Sequence, residues 1–510
     1  MLIKGCVKMK QKWLLILLLI LGLASCSPSE SIDETVDCND YPNHVDCVIE
    51  DDDSNDPIIE DFDDQLEIFY INDLHGALAE DGDELGLAKI ANLIQTRRTQ
   101  SDGQVLFLGG GDLLQGSALS NYYNGLSTIE LLNEMGMDAM TIGNHEFDWG
   151  LDTVLAYRDG NLENGEADFP FLGANIFYED TNDIPNYVDP YIIIEKGSFK
   201  IGIIGTIGDT LESSIATSRV EGYEFRDSVS IIADYSAYLR TVEDCNVIIS
   251  MAHESGYINP QLTRLEGDER IDFILNAHSH QITYTTIGGV PQLQSGSNGE
   301  AVGYIHLTID DGVIENDLAN LNAYSEPLLQ TPYQPVADMI EVYVLETYDL
   351  FNEPIISSSS YYRESDLSLW LTKLINTATN SDISFHNYGG TRAPLESGEM
   401  ITRSTLYDIW PFDNTIKTVY LTGTEIEYLI NASQLAYYTE HTDFEADTLY
   451  KVATNDYVFD KPSNPFINGT DITITPFILR DFVEQELILQ SELYTGFSIE
   501  NDILSIPTTN

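Results

Sequence analysis

Ala139-Met140-Thr141-Ile142 runs directly into Gly143-Asn144-His145-Glu146-Phe147-Asp148. The first four residues read as a short buried strand. The six that follow hold an amide, an imidazole and two carboxylates. Four other apolar runs end in the same manner. Residues 66–71 give onto Asn72-Asp73-Leu74-His75, and residues 105–108 onto Gly109-Gly110-Gly111-Asp112. Residues 247–251 give onto Ala252-His253-Glu254, and residues 273–275 onto Asn276-Ala277-His278-Ser279-His280. Amphipathic stretches such as 86–98 and 127–135 lie between the runs, so strands alternate with helices and the pattern predicts an α/β fold. In an open α/β sheet, ligands bind in the crevice beyond the carboxyl ends of the strands. Five of the nine histidines closely follow such runs, which predicts a single shared site.

The donor chemistry is that of metal. Carboxylates, imidazoles and a neutral amide oxygen form a mixed O/N set, suited to Zn, Mn or Fe rather than Ca. A carboxylate such as Asp112 is able to bridge two ions about 3.5–4 Å apart, the spacing that clamps an in-line phosphoryl displacement. The three glycines before Asp112 let the backbone approach such a cluster closely.

These segments resemble the calcineurin-like metallophosphatases, and within them the 5′-nucleotidase family with its exported bacterial members. The resemblance rests on Asp73-Leu74-His75, Gly111-Asp112, Gly143 through Asp148, His253 and His278-Ser279-His280. It implies a four-layer α/β/β/α metallophosphatase sandwich plus a smaller α/β C-terminal nucleotidase domain. It also implies two divalent metal ions (Zn, Mn, Fe or Mg), one held by Asp73, His75, Asp112 and His280. The other would take Asp112, Asn144, His253 and His278. Ala277 stands where the family motif usually carries glycine. His145 and Asp148 are implied to be catalytic: the imidazole protonates the leaving oxygen and the carboxylate orients it. Glu146 and Trp149 read as structural.

The second half of the resemblance lies further along. Ser325-Glu326-Pro327 and Thr331-Pro332-Tyr333-Gln334-Pro335 punctuate the chain, and residues 336–350 read as one long amphipathic helix. Beyond it, Tyr362-Arg363-Glu364-Ser365-Asp366-Leu367, Asn387-Tyr388-Gly389-Gly390-Thr391-Arg392 and Trp410-Pro411-Phe412-Asp413-Asn414 are similar to the family's substrate-gripping segments. Arg363 and Arg392 are expected to fork onto phosphate oxygens, Asn387 to contact base or phosphate, and Phe412 to stack on the base. His386, beside Asn387, is a further pocket candidate. The family follows its Thr-Asn-Asp strand with a glycine-rich turn and an aromatic residue. Here Thr454-Asn455-Asp456-Tyr457 runs into a segment without glycine, leaving Tyr457, Phe459 and Phe466 as alternatives for the second stacking face.

Composition bounds the remainder. In 510 residues, 84 Asp+Glu face 23 Lys+Arg, for a net charge of −61, and 43% of residues are hydrophobic. That length and apolar content predict two or three domains. The negative field excludes a protein that coats nucleic acid through basic patches. With 36 Gly, 18 Pro and 5 Cys, collagen-like and disulfide-scaffold readings also fail. Lys4, Lys8, Lys10 and Lys12 precede an apolar run at 13–25, too short to span a bilayer comfortably. Leu23-Ala24-Ser25-Cys26-Ser27 then looks like the lipobox of bacterial lipoproteins, with Cys26 the lipidated residue. Residues 26–65 carry 15 acids and no Lys or Arg, which predicts a disordered tether. Cys38 and Cys47 within it are a candidate pair in an oxidising exterior.

The expected organisation is therefore a signal peptide at 1–25, an acidic tether at 26–65 and a metallophosphatase domain at 66–325. A linker and hinge helix at 326–355 and a substrate-binding domain at 356–510 complete it. The expected function is that of an exported enzyme, anchored by lipid to the outer face of the bacterial membrane. It would hydrolyse nucleoside 5′-phosphates by in-line attack of a metal-activated water, with closure of the two domains over the substrate. The same chemistry on 2′,3′-cyclic nucleotides, nucleotide sugars or dinucleotides is the first alternative, and a non-enzymatic surface binder that kept the fold is the second. The partners expected are the nucleotide and the membrane, with no nucleic-acid polymer and no obligate protein partner.

Overall fold

A computed structural model describes residues 63–504, apart from 163, 217–218, 311–312, 432–433 and 462. The leader, Cys26, Cys38, Cys47 and the tether as far as residue 62 lie outside the described residues. Among the described residues no helix is long and apolar enough to cross a membrane.

Strand Gln65–Ile71 shows how the layers arise. Leu66, Ile68 and Tyr70 enter one apolar cluster, while Phe69 and Ile71 enter another. Alternate residues of a strand face opposite ways, so a strand apolar on both faces must be covered on both. Val105–Gly109 repeats the pattern, with Leu106 and Leu108 on the first side and Val105 and Phe107 on the second. These strands belong to a six-stranded sheet, from edge to edge Val313–Leu321, Val302–Asp310, Gln65–Ile71, Val105–Gly109, Ala139–Thr141 and Phe171–Leu172. A second six-stranded sheet runs Ile282–Ile287, Val290–Ser295, Phe273–Asn276, Val247–His253, Phe199–Ile207 and Tyr191–Lys196.

The second sheet sends Ile201, Ile203, Val247, Ile249 and Met251 into the cluster shared with Leu66 and Ile68. Its opposite face, with Ile204 and Ile248, packs on Ile232 and Leu239 of helix Ser228–Thr241. Helices Leu87–Gln100 and Leu126–Met135 cover the outer face of the first sheet through Ile90, Ile94, Ile129 and Leu132. The result is the α/β/β/α sandwich predicted from the sequence. Cys245 is buried and unpaired in the outer layer of the second sheet.

Helix Gln334–Asn352 starts with Pro335 in its first turn and lays Val336 and Ile340 into the helical layer over the first sheet. Beyond it a five-stranded sheet runs Leu435–Thr439, Ile383–Asn387, Leu449–Asn455, Thr415–Thr422 and Thr470–Ile478. Helix Glu364–Thr379 covers one face with Leu367, Leu371, Leu374 and Ile375. This smaller α/β unit is tied to the sandwich at the Pro411 carbonyl. Pro411 O accepts from Gln115 Nε2 and from Asn121 Nδ2, each at 3.0 Å.

Candidate metal centre and substrate cleft

The strands set the site. Gln65–Ile71, Val105–Gly109 and Ala139–Thr141 are mutually parallel neighbours in one sheet, and Val247–His253 and Phe273–Asn276 are parallel neighbours in the other. Their carboxyl ends deliver Asp73, His75, Asp112, Asn144, His253, His278 and His280 to one place. His75 Nε2 and His280 Nε2 stand 3.2 Å apart, and His280 Nε2 is 3.6 Å from Asp73 Oδ1. His253 Nε2 lies 3.1 Å from Asp112 Oδ2. Asn144 Oδ1 is 3.2 Å from that same nitrogen and 3.0 Å from His278 Nδ1.

The backbone is bent to do this. Asp73, His75, Asp112, His278 and His280 all have φ between 49° and 66°. Non-glycine residues in this left-handed region are uncommon and carry strain that gathers at functional sites. Gly111, at φ 84°, brings the chain so near that a Cβ there would lie 2.7 Å from His253 Nδ1. Buried Glu146 holds the turns in register, its carboxylate accepting from the backbone N–H of Asp112, Leu113 and Gly143, each at 2.8 Å. The structural reading of Glu146 thus has a definite physical content.

Two imidazoles are oriented by backbone. His253 Nδ1 donates to Gly110 O at 2.8 Å and His75 Nδ1 to Gln115 O at 3.0 Å, which turns each Nε2 inward; burial opposes a charge on His253, but Asp112 outweighs it and raises the ring's pKa to about 10. Burial, with smaller contributions from neighbouring cationic groups, lowers the pKa of His278 and of His280 to about 4, so both are neutral, the form that binds metal. Burial raises the Asp112 carboxyl, but His253 and His145 outweigh it and hold Asp112 well below the usual carboxylate range.

His145 sits at the edge of this cradle. Its Nδ1 meets Asp148 Oδ2 at 2.7 Å, and its Nε2 points back to within 4.0 Å of Asp112 Oδ2. Burial opposes a charge on the ring, yet Asp148 and then Asp112 win and raise its pKa to about 9. The ring is therefore a proton-bearing group at neutral pH.

The smaller domain closes the cleft from the other side. Arg392 and Phe412 line both a cavity of ≈ 660 Å³ on the His75/His280 side and one of ≈ 210 Å³ on the Asn144/His278 side. Phe412 lies parallel to His145, with ring centroids 5.4 Å apart and planes 20° apart, and the Arg392 guanidinium stands 6.0 Å from the Phe412 centroid. Asn387 and Tyr457 line the smaller cavity. Asn387 Oδ1 accepts from Asn455 Nδ2 at 2.9 Å.

Arg363 is not brought to the cleft. Its Nε and Nη2 donate to the two oxygens of Asp366, each at 3.2 Å, at the start of helix Glu364–Thr379. The side chain is 66% exposed. An acid three residues on, at the helix N-terminus, captures the guanidinium locally. Of the three stacking alternatives, Phe459 and Phe466 are buried and stacked on each other at 5.7 Å, which leaves Tyr457. His386 is also buried, between Asn455 Nδ2 at 3.1 Å and Thr391 Oγ1 at 3.5 Å, and lines neither cavity.

Comparison with known proteins fits this geometry. The calcineurin-like phosphoesterase family matches residues 66–282, and the 5′-nucleotidase C-terminal domain matches residues 346–444. The chain thus carries a calcineurin-like phosphoesterase domain and a 5′-nucleotidase C-terminal domain. Among its relatives, Endonuclease YhcR of Bacillus subtilis (strain 168) is 25% identical over 405 residues, 72% of this chain and 32% of that protein. Snake venom 5′-nucleotidase of Naja atra is 31% identical over 279 residues, 48% of this chain and 51% of that protein. The chain thus spans about a third and about half of the length of these two relatives. The crystal structure of a 5′-nucleotidase precursor from Thermus thermophilus shares the fold, with a TM-score of 0.69 over 88% of this chain and 100% of that one at 19% identity.

The residues present fit the divalent metals that the calcineurin-like phosphoesterase match implies. Asp73, His75 and His280 form one group, Asp112, His253 and His278 another, and His75, Asp112 and His145 a third; ligand atoms within each group lie within 4.8 Å of one another. His75 Nε2, turned inward 3.2 Å from His280 Nε2, is placed to accept either a proton or a cation. Two contributors escaped the sequence reading. Gln115 acts through its carbonyl on His75, a role no side-chain pattern reveals. Arg219 lines the smaller cavity from a loop that has no periodicity to mark it.

Proposed function

We propose that this protein is an exported, lipid-anchored phosphoesterase that hydrolyses nucleoside 5′-phosphates to nucleoside and phosphate. The observation that carries the reading is the 2.7 Å His145–Asp148 pair, set between the cradle of metal-competent side chains and Phe412 and Arg392 of the other domain. Asp73, His75, Asp112 and His280 would hold one divalent ion and Asp112, Asn144, His253 and His278 the other, with Zn, Mn, Fe and Mg as candidates. Such ions lower the pKa of a water and neutralise phosphoryl oxygens.

The remaining roles fall to the chain. Arg392 orients the phosphoryl group through a forked pair of N–H donors. As the P–O5′ bond breaks and the water oxygen joins phosphorus, His145 Nε2 gives its proton to the departing oxygen. Asp148 fixes the ring by taking Nδ1–H. Phe412 and Tyr457 offer faces to the base, and Asn387 a polar edge. The basic leader and Cys26 support export and lipid anchoring.

Hydrolysis of 2′,3′-cyclic nucleotides or nucleotide sugars by the same site is the second reading. It is favoured by the segment after Tyr457, which lacks glycine and folds Phe459 and Phe466 into the core. A polymer substrate, as the name of the Bacillus relative would suggest, is opposed by the net charge of −61 and by Asp148, Asp413 and Asp456 in the cavity wall.

Phosphate release by the full chain from AMP, 2′,3′-cyclic AMP and UDP-glucose with Mn, Zn or Mg tests the reading. A second phosphatase is added to unmask phosphomonoester products, and Asp112→Asn serves as control. Metal-dependent release from AMP, abolished in the control, is the expected result. Preference for either of the other two substrates moves the assignment to the second reading, and silence on all three with ions bound leaves a binding protein. Membrane fractionation of Cys26→Ala checks the anchor: the variant is expected in the soluble fraction and the parent chain with the membrane.

A further inference from the structure

Residues 410–414 join helix Arg403–Ile409 to strand Thr415–Thr422 and belong to neither. A connecting segment has no ladder of its own, so its position depends on what grips it from outside. Here the grip comes from far along the chain. Arg480, the second residue of helix Leu479–Leu493, is buried, with 3% of its surface exposed. Taking a guanidinium out of water is costly unless partners surround it. Its Nη1 donates to Trp410 O at 2.9 Å, its Nη2 pairs with the Asp413 carboxylate, and its Cζ stands 3.5 Å from the centroid of the Tyr407 ring. The backbone N–H of Leu479 adds a further tie, donating to Asn414 O at 2.8 Å.

Trp410 and Asp413 flank Pro411 and Phe412, so one planar fork fixes both ends of that span. The span carries the ring stacked on His145 and the carbonyl held by Gln115 and Asn121. Trp410 extends the reach. Its Nε1 donates to Thr391 Oγ1 at 3.1 Å, while Arg392 N donates to Ile409 O at 2.8 Å. The turns bearing Phe412 and Arg392 are thereby one assembly. Arg480 itself lines neither cavity. Asp413 lines the smaller one, and the guanidinium offsets a carboxylate in that wall that would otherwise repel an anionic ligand.

We propose that Arg480 is a positioning residue: acting through Trp410 and Asp413, it holds the Phe412 ring in the place from which it stacks on a nucleobase. This rests on the reading above, in which Phe412 offers a face to the base. A buried arginine that served only to join two helices would leave the ligand indifferent to its loss as long as the chain stayed folded. One that supports the Phe412 ring transmits its loss to the ligand through that ring and no other group.

Calorimetric titration of adenosine into the full chain reads the position of the ring without turnover, and adenosine carries no charge for Asp413 or Arg480 to act on. Phe412→Ala is expected to weaken adenosine by about tenfold, the scale of a lost stacking face. Arg480→Gln and Asp413→Ala are each expected to weaken it by about fivefold. The double variant R480Q/F412A should bind within about twofold of Phe412→Ala alone, because residues that act through one ring do not add. The same cycle with Asp413→Ala decides the question if Arg480→Gln does not fold. Arg480→Lys should weaken adenosine less than Arg480→Gln, because the charge stays while the fork is lost. Arg403→Ala, which cuts the link from helix Arg403–Ile409 to Glu484 of the same final helix, should change adenosine binding by less than about twofold. Additive losses in the double variants, unchanged binding in Arg480→Gln and Asp413→Ala, an equal loss in Arg403→Ala, or no adenosine binding by the parent chain would overturn the proposal. The expected pattern in a chain that releases no phosphate from AMP would uphold it while removing the phosphoesterase reading.

Discussion

The two walls of the cleft are built on different rules. On the cradle side, every candidate ligand lies at or just beyond the carboxyl end of a strand, and the parallel pairing of those strands fixes where the residues arrive. Main-chain groups then lock the set: His278 N donates to Asp73 Oδ2 at 2.8 Å and His145 N to Asp112 Oδ1 at 2.8 Å. On the opposite wall, Asn387, Arg392, Phe412 and Tyr457 come from strand ends, turns and a short helix, each steered by its own neighbours. A sheet converts sequence spacing into position. A loop does so only through the partners that happen to hold it, and those are invisible until the fold is known.

Loss of His145 probes the rigid wall most severely. His145→Ala is expected to cut phosphate release from a nucleoside monophosphate by about 10²–10⁴-fold, the range for a lost general acid, with metal content measured by elemental analysis unchanged. A fall in metal content of equal size would make His145 part of the cradle and erase the distinction between ligands and dyad.

His386 tests whether a buried histidine in the smaller domain behaves differently from those in the cradle. Burial lowers its pKa to about 3, whereas an unfolded chain's imidazole titrates near 6.5. Below that value the unfolded state takes a proton that the native state refuses. The stabilising contribution is thus complete above about pH 6.5 and is lost as pH falls toward about 3, at about 1.4 kcal/mol per pH unit. Urea unfolding at pH 6.5 and pH 5 should show the parent chain losing about 2 kcal/mol more than His386→Gln between the two. Identical losses would mean that the imidazole is hydrated or charged in the native state.

Tyr457→Ala sharpens the account of the opposite wall. A lost base-stacking face costs about 1–3 kcal/mol, so KM for AMP should rise by about tenfold while kcat moves little. The same substitution at Phe459 would instead lower stability, read from the urea midpoint, because that ring is core. The smallest effect belongs to Arg363→Ala: less than about a twofold change in kcat/KM and less than about 1 kcal/mol in stability, as for an exposed ion pair. A tenfold loss in kcat/KM would mean that Arg363 leaves Asp366 and swings to the substrate during turnover.

The legible part of the molecule follows the same division. Asp73-Leu74-His75 and Gly143 through Asp148 announced themselves because apolar runs of strand length stop at them, and the α/β architecture came with those runs. Arg363 was misplaced even though Asp366, three residues on, offered the capping partner that captures it. Tyr457 was left level with Phe459 and Phe466 because their separation depends on the turn of helix Asp456–Phe459, capped by Asn455, whose side chain accepts from Val458 N at 2.8 Å. That turn buries Val458 and Phe459 and leaves Tyr457 facing the cavity. Arg219 carried no signal, since no periodic or motif-like neighbour marks it as part of the cavity wall.

Gln115 joins the two walls at a single residue. Its side chain holds Pro411, next to Phe412, and its carbonyl holds Nδ1–H of His75. Any swing of the smaller domain that carries product outward must release the Pro411 carbonyl from Gln115 and Asn121 together, because both donors share that one acceptor. The latch and the cradle thus meet in one residue: on the proposed function, motion that opens the exit for nucleoside would pull on the residue that steadies the His75 imidazole. Product escape and ion retention would then be set against each other at this point, with the anchor in the backbone and the latch in the side chain.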